Sequence, residues 1–104
     1  MKIPETVRIG SMNYKVEITD KTLIIKNKEC YGRIDYDRHL IEINNQVQDE
    51  QGMSLTFMHE LVHGIVSERN LNMGGEDNEL KTEELARGLH QVIRDNPKVF
   101  IEGD

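Results

Sequence analysis

The stretch TFMHELVHGIV, residues 56 to 66, sets Glu60 directly after His59 and places His63 four residues on from His59. Residues four apart on a helix lie one turn above each other, so the two histidines can aim their imidazoles at a common point. A catalytic zinc site needs three protein ligands and leaves a further position for water. Glu60 falls about 100° round the helix from His59. That is too far round to complete the ligand set, but it is the side from which a carboxylate can take a proton from a water whose pKa the metal has lowered. The pattern is the H-E-x-x-H signature, whose chemistry is metal-assisted hydrolysis with the glutamate as base.

A third ligand must come from elsewhere. The metzincin extension would require glycine at Val66 and histidine at Arg69, and neither is present. The segment KTEELARGLHQV offers carboxylates instead, far enough downstream for a loop and an antiparallel return. On a second helix Glu83 projects near Ala86 and His90, on one flank of the apolar face, while Glu84 points about 100° away. Glu83 is therefore the expected third ligand, with Glu84 as the alternative. His90 could orient a ligand or stabilise an oxyanion, and Tyr31 and Tyr36 could offer a hydroxyl to a tetrahedral intermediate, though all three equally suit ordinary surface cover. His39 falls in a turn and reads as solvated. Cys30 has no histidine at a readable spacing and reads as structural.

These residues need a frame. In VRIGSMNYKVEIT, Val7 and Ile9 precede a Gly10-Ser11 turn signal, and Tyr14, Val16 and Ile18 alternate after it, which predicts a hairpin. TLIIK is a short strand candidate. CYGRIDYDRHLIEI predicts a second hairpin, with Ile34 and Tyr36 on one face, a turn near Asp37-Arg38-His39, and Ile41 and Ile43 on the return. Strands are thus expected over about residues 5–45. From about residue 50 the period changes: Met58, Leu61, Val62 and Ile65 recur at helical spacing to about residue 69, with Gly64 as the weak point. After the polar connection NLNMGGEDNE, a second helix is expected over about residues 79–95, with Leu85, Leu89, Val92 and Ile93 on one face and Asn96-Pro97 closing it. Strands first and helices after is the order of an α+β domain, here a small antiparallel sheet packed on two antiparallel helices across residues 1–104.

The helix pattern, a downstream acidic residue in TEELARGLHQVIRDNP and the preceding hairpin YGRIDYDRHLIEI together resemble the small phage and bacterial metallopeptidase-like proteins of the ImmA/IrrE type. The resemblance covers roughly residues 30 to 97. It implies a minimal zincin-like domain with a gluzincin-like Zn2+ site, in which His59, His63 and Glu83 are ligands and Glu60 is the base. The chain departs from thermolysin-type gluzincins in carrying Arg87 where an aspartate stands four residues after the third ligand, and it has no room for the helix-turn-helix domain of larger relatives.

Composition narrows the classes. The chain has 104 residues, 37% hydrophobic and 31% charged, with a formal net charge of -6. That describes a globular chain with one core, and it argues against nucleic acid as a partner, which would call for a basic face. The sole cysteine allows no internal disulfide, the N-terminus lacks an apolar signal region, and no apolar run approaches a membrane span, so a cytoplasmic protein is expected. Two functions fit. The first is a zinc-dependent metallopeptidase of phage or prophage origin, acting on a peptide or protein. The second is a zinc-stabilised module that binds a partner protein without cutting it.

Overall fold

The computed structural model describes residues 2–73 and 78–101. Strands β1 (Thr6–Ile9) and β2 (Met12–Thr19) form the first hairpin, and β5 (Gly32–Asp35) and β6 (Leu40–Asn44) the second, as the alternation predicts. Gly10, at φ 58°, takes the left-handed conformation that the two-residue first turn requires. In the second turn the Asp35 carboxylate accepts hydrogen bonds from the backbone N–H groups of Asp37 and Arg38, and His39 closes the turn at φ 54°. His39 is not simply solvated: its ring packs edge-on against Tyr14, with centroids 5.2 Å apart.

The hairpins meet through β2 and β6, which run parallel, giving a four-stranded sheet of order β1-β2-β6-β5. The sheet is therefore mixed, antiparallel within each hairpin and parallel where they join. Between them, β3 (Leu23–Ile25) and β4 (Lys28–Cys30) make a separate two-stranded sheet. Its turn residues Lys26 and Asn27 have φ 50° and 65°, the positive pair that a tight type I′ turn needs. The expected strand TLIIK supplies β3. Its partner β4 carries no alternation of its own.

Helix α1 (Glu50–Glu68) starts at Asp49, whose carboxylate accepts from Gly52 N at 2.9 Å, and ends where Asn70 turns to φ 51°. It is buried on two sides, so a single face through Met58, Leu61, Val62 and Ile65 does not describe it: Met58 and Val62 are buried, and Ile65 is exposed. Towards the sheet, Phe57, with Met53 and Leu61, packs on Ile9, Tyr14, Val16, Ile41 and Ile43. Towards helix α2 (Asn78–Asp95), Met58 and Val62 pack on Ala86, flanked by Leu89 and Ile93. Each fully buried aliphatic side chain contributes about 1.5–3 kcal/mol.

Gly64, the weak point in propensity, is what allows this double burial. A Cβ there would come within 2.7 Å of Ile9 Cδ1 and 3.3 Å of Ile34 Cδ1. On α2, Leu85 and Val92 are exposed rather than core, because Thr82 and Ala86 occupy the line of closest approach to α1. A 3-10 turn at Pro97–Val99 follows α2. The expected polar connection falls partly outside the described residues, at 74–77. No helix among the described residues is long and apolar enough to cross a membrane.

Candidate metal centre

His59 and His63 stand on consecutive turns of α1, along the edge that faces α2, and both are only partly exposed. Their Nε2 atoms are 3.1 Å apart. Two ligand atoms of a tetrahedral zinc, each about 2.0–2.1 Å from the ion, sit about 3.3 Å from one another. The imidazoles are thus spaced as a shared metal requires.

The carboxylate that joins them belongs to Glu79. Its Oε1 is 2.7 Å from His59 Nε2 and its Oε2 is 3.2 Å from His63 Nε2. Among the described residues, His59, His63 and Glu79 form the group whose ligand atoms lie mutually within 4.8 Å. Glu83, the expected third ligand, is not in that group. Glu83 reaches the opposite side of the His59 ring, with Oε2 2.6 Å from Nδ1, while its Oε1 accepts from Arg87 Nε at 2.9 Å. Glu84 is exposed and faces Arg87 at 4.0 Å. The helices run antiparallel in this register: His63 meets Glu79, and His59, a turn earlier, meets both Glu79 and Glu83.

The sequence did hold a signal for Glu79. The carboxylate missing four residues after Glu83 is present four residues after Glu79, and it is Glu83 itself. One helical turn thus supplies a carboxylate for each nitrogen of His59. A metal-bound imidazole is normally held by a hydrogen bond from its other nitrogen, and Glu83 accepts that bond. The donor set, two imidazole nitrogens and one carboxylate, is that of zinc hydrolases.

Glu60 lies on the sheet side of the histidines and is buried to 6% relative exposure. Its carboxylate lies over the start of β5, such that a Cβ on Gly32 would come within 3.4 Å of Oε2. Burial pushes its pKa up to about 7; His59 opposes the shift, while Glu79 and Glu83 add to it. Burial also lowers the pKa of His63, with Glu79 acting the other way. Burial, and then the charges of Glu60 and Glu79, raise the pKa of the Tyr36 hydroxyl.

A cleft of about 770 Å³ opens over these groups. The β3–β4 hairpin roofs it with Ile25, Lys26 and Lys28. Cys30, Tyr31 and Gly32 form the strand wall, and Leu55 and Thr56 the α1 side. Gln48 ties the walls together: its Nε2 donates to Tyr31 O and Asn44 O, and its Oε1 accepts from Thr56 Oγ1 at 2.7 Å. Cys30 is half-buried, its thiol donating to Lys28 O. His90 lies away from the histidine pair and lines a second groove. Compared with known protein families, curated proteins and solved structures, the chain matches none.

Proposed function

We propose that this chain is a zinc-dependent peptidase in which His59, His63 and Glu79 hold the metal and Glu60 is the general base. The observation that carries the reading is the meeting of the two Nε2 atoms with both oxygens of Glu79, beside a buried carboxylate from the same helical turn. Zinc held there would act as a Lewis acid, polarising a carbonyl and lowering the pKa of water.

The chain's own groups do the rest. Glu60 accepts the proton of the attacking water and returns it to the departing amine. Glu83, braced by Arg87, fixes the His59 ring so that Nε2 faces the metal position. β5 is an outer strand of its sheet, and its first residue Gly32 lines the cleft, so an extended substrate can pair with the main chain there by strand addition. Gly32 also lets β5 pass close under α1: a Cβ there would meet Thr56 Cγ2 at 2.6 Å and Glu42 O at 3.0 Å. The single cysteine suits a reducing compartment, and we place the protein in the cytoplasm.

The test is zinc content per chain together with hydrolysis of a mixture of short peptides of diverse sequence, for wild type and Glu60→Gln. Stoichiometric zinc in both, with cleavage only in wild type, supports the peptidase. Absence of stoichiometric zinc overturns the metal site. Zinc in both with no difference in cleavage leaves the non-catalytic binding module as the function.

A further inference from the structure

Gln48 stands just before Asp49, the residue that caps α1, and belongs to no helix or strand. Its side chain lies along the first turns of the helix and reaches Thr56, whose hydroxyl donates to Oε1 at 2.7 Å. Gly52 leaves the path open: a Cβ there would come within 3.0 Å of Gln48 Cβ and 3.3 Å of Oε1. The amide nitrogen faces the sheet. It donates to Tyr31 O at 3.1 Å, where the chain enters β5, and to Asn44 O at 2.8 Å, where the chain leaves β6. One amide thus uses its oxygen and both of its N–H groups.

The bond to Tyr31 O is not what closes the sheet, since that carbonyl already accepts from Asn44 N at 2.9 Å. What Gln48 adds is a link between the sheet and α1 at one level of the cleft. There Thr56 turns its methyl to Gly32 and its hydroxyl to Gln48, and one turn further on Glu60 lays its carboxylate over the same glycine. Because Tyr31 turns its carbonyl to β6, the alternation of an antiparallel ladder turns the N–H and C=O of Gly32 to the open edge.

The groups that act on a bound peptide therefore sit on different elements. The main chain that pairs with the substrate belongs to β5, and the base belongs to α1. We propose that Gln48 is a positioning residue for the hydrolysis: through Tyr31 and Thr56 it holds the pairing edge of β5 at the distance from Glu60 that aligns the attacking water with the bound carbonyl. The inference rests on the peptidase reading and adds a residue that lies outside the HELVH signature. A misplacement of about 1 Å lowers turnover by about 100-fold. The brace acts on that alignment, and leaves the metal and the affinity for peptide alone.

The test follows the mixture of short peptides of diverse sequence by mass spectrometry, and measures kcat and KM on the member cut fastest. The variants are Thr56→Val, which replaces the hydroxyl by a methyl, Gln48→Leu, and the conservative Thr56→Ser. Tyr14→Phe, which breaks the bond to Glu68 at the other end of α1, controls for lost stability. Rates are taken per folded, zinc-loaded chain, from melts and metal content of the same samples. The expected result is a kcat lower by about tenfold in Thr56→Val and about 100-fold in Gln48→Leu, with KM within about twofold of wild type. Thr56→Ser and Tyr14→Phe should cut as wild type does. An unchanged kcat in Gln48→Leu, a raised KM at constant kcat, or an equal loss in Tyr14→Phe would overturn the proposal. If wild type cuts and Gln48→Leu cuts equally well, only the role of Gln48 is removed. A wild type that carries zinc and cuts no peptide removes the peptidase reading, and this role with it.

Discussion

Glu83 and His59 are joined at 2.6 Å through Oε2 and Nδ1, one turn along α2 from the place where Glu79 meets Nε2 of the same ring. On the proposed reading the two carboxylates have different jobs, and substitution separates them. Glu79→Gln is expected to abolish stoichiometric zinc binding. Glu83→Gln should retain one zinc at saturation but with affinity lowered about 10–100-fold, the usual effect of losing the group that orients a ligand. Competition against a chromophoric chelator checks both. The assignment fails if Glu83→Gln loses the metal while Glu79→Gln keeps it.

Metal removal should be visible in stability, because the site joins α1 to α2 and its geometry requires both helices. At free zinc about 100-fold above Kd the folded chain gains about 2.7 kcal/mol. For a domain of this size that corresponds to a rise in Tm on the order of 10 °C, reversed by a chelator. Thermal melts of Glu79→Gln should show no such rise, and melts of Glu60→Gln should show it in full.

Gly32 sits where β5 passes under α1, and a side chain there meets backbone as well as Thr56. Gly32→Ala is expected to destabilise the fold by about 1–3 kcal/mol, the range for overpacking. It should reduce hydrolysis beyond that loss, since the displaced neighbours include Glu60. Denaturant melts and zinc content measured beside activity distinguish the effects. An unchanged midpoint would show that the seam yields more readily than its distances suggest.

The Asp35 turn predicts a pH dependence of defined sign. Hydrogen bonds from the Arg38 backbone and side chain, then from Asp37 N, hold the Asp35 carboxyl below its ordinary 3.8. The folded chain therefore takes up this proton less readily than the unfolded one. The resulting stability is fully present above pH 3.8 and lost as pH falls through the lowered folded value. The difference in stability between wild type and Asp35→Ala should be constant above pH 3.8 and narrow as the pH is lowered below it. A difference that widens on acidification would reverse the assignment.

Tyr14 spans from β2 to the far end of α1, its hydroxyl donating to Glu68 Oε2 at 2.7 Å from a fully buried ring. Burial and then Glu68 raise its pKa. Tyr14→Phe should cost about 1.5–3 kcal/mol, the range for a hydrogen bond to a charged group, and leave zinc content unchanged. Urea unfolding followed at the two wavelengths of secondary and tertiary structure measures it.

The sequence makes some of this legible and hides the rest for identifiable reasons. HELVH announces itself because ligand spacing on a helix is local, and both hairpins are visible because alternation and turn residues are local too. The partner across a helix pair is not local. A shift of one turn along α2 exchanges Glu83 for Glu79, and the acidic run from Glu76 to Glu84 offers several carboxylates that spacing alone does not rank. The parallel seam between β2 and β6 is likewise a matter of how two finished hairpins meet. The exposure of Leu85, Val92 and Ile65 shows the same limit, since which flank is covered depends on the tilt of α2 over α1.

That parallel seam also dictates an order of events. Each antiparallel hairpin closes over a few residues, whereas Lys15 reaches Leu40 only after β3, β4 and β5 have been laid down between them. Pairings distant in sequence close late because loop entropy is spent before the contacts repay it. On that order α1 packs across the seam and α2 on α1, so that His59, His63 and Glu79 are expected to converge only once the hairpins have joined. Zinc should accordingly leave the refolding rate nearly unchanged and slow unfolding, so that the metal acts on the lifetime of the finished protein rather than on its assembly.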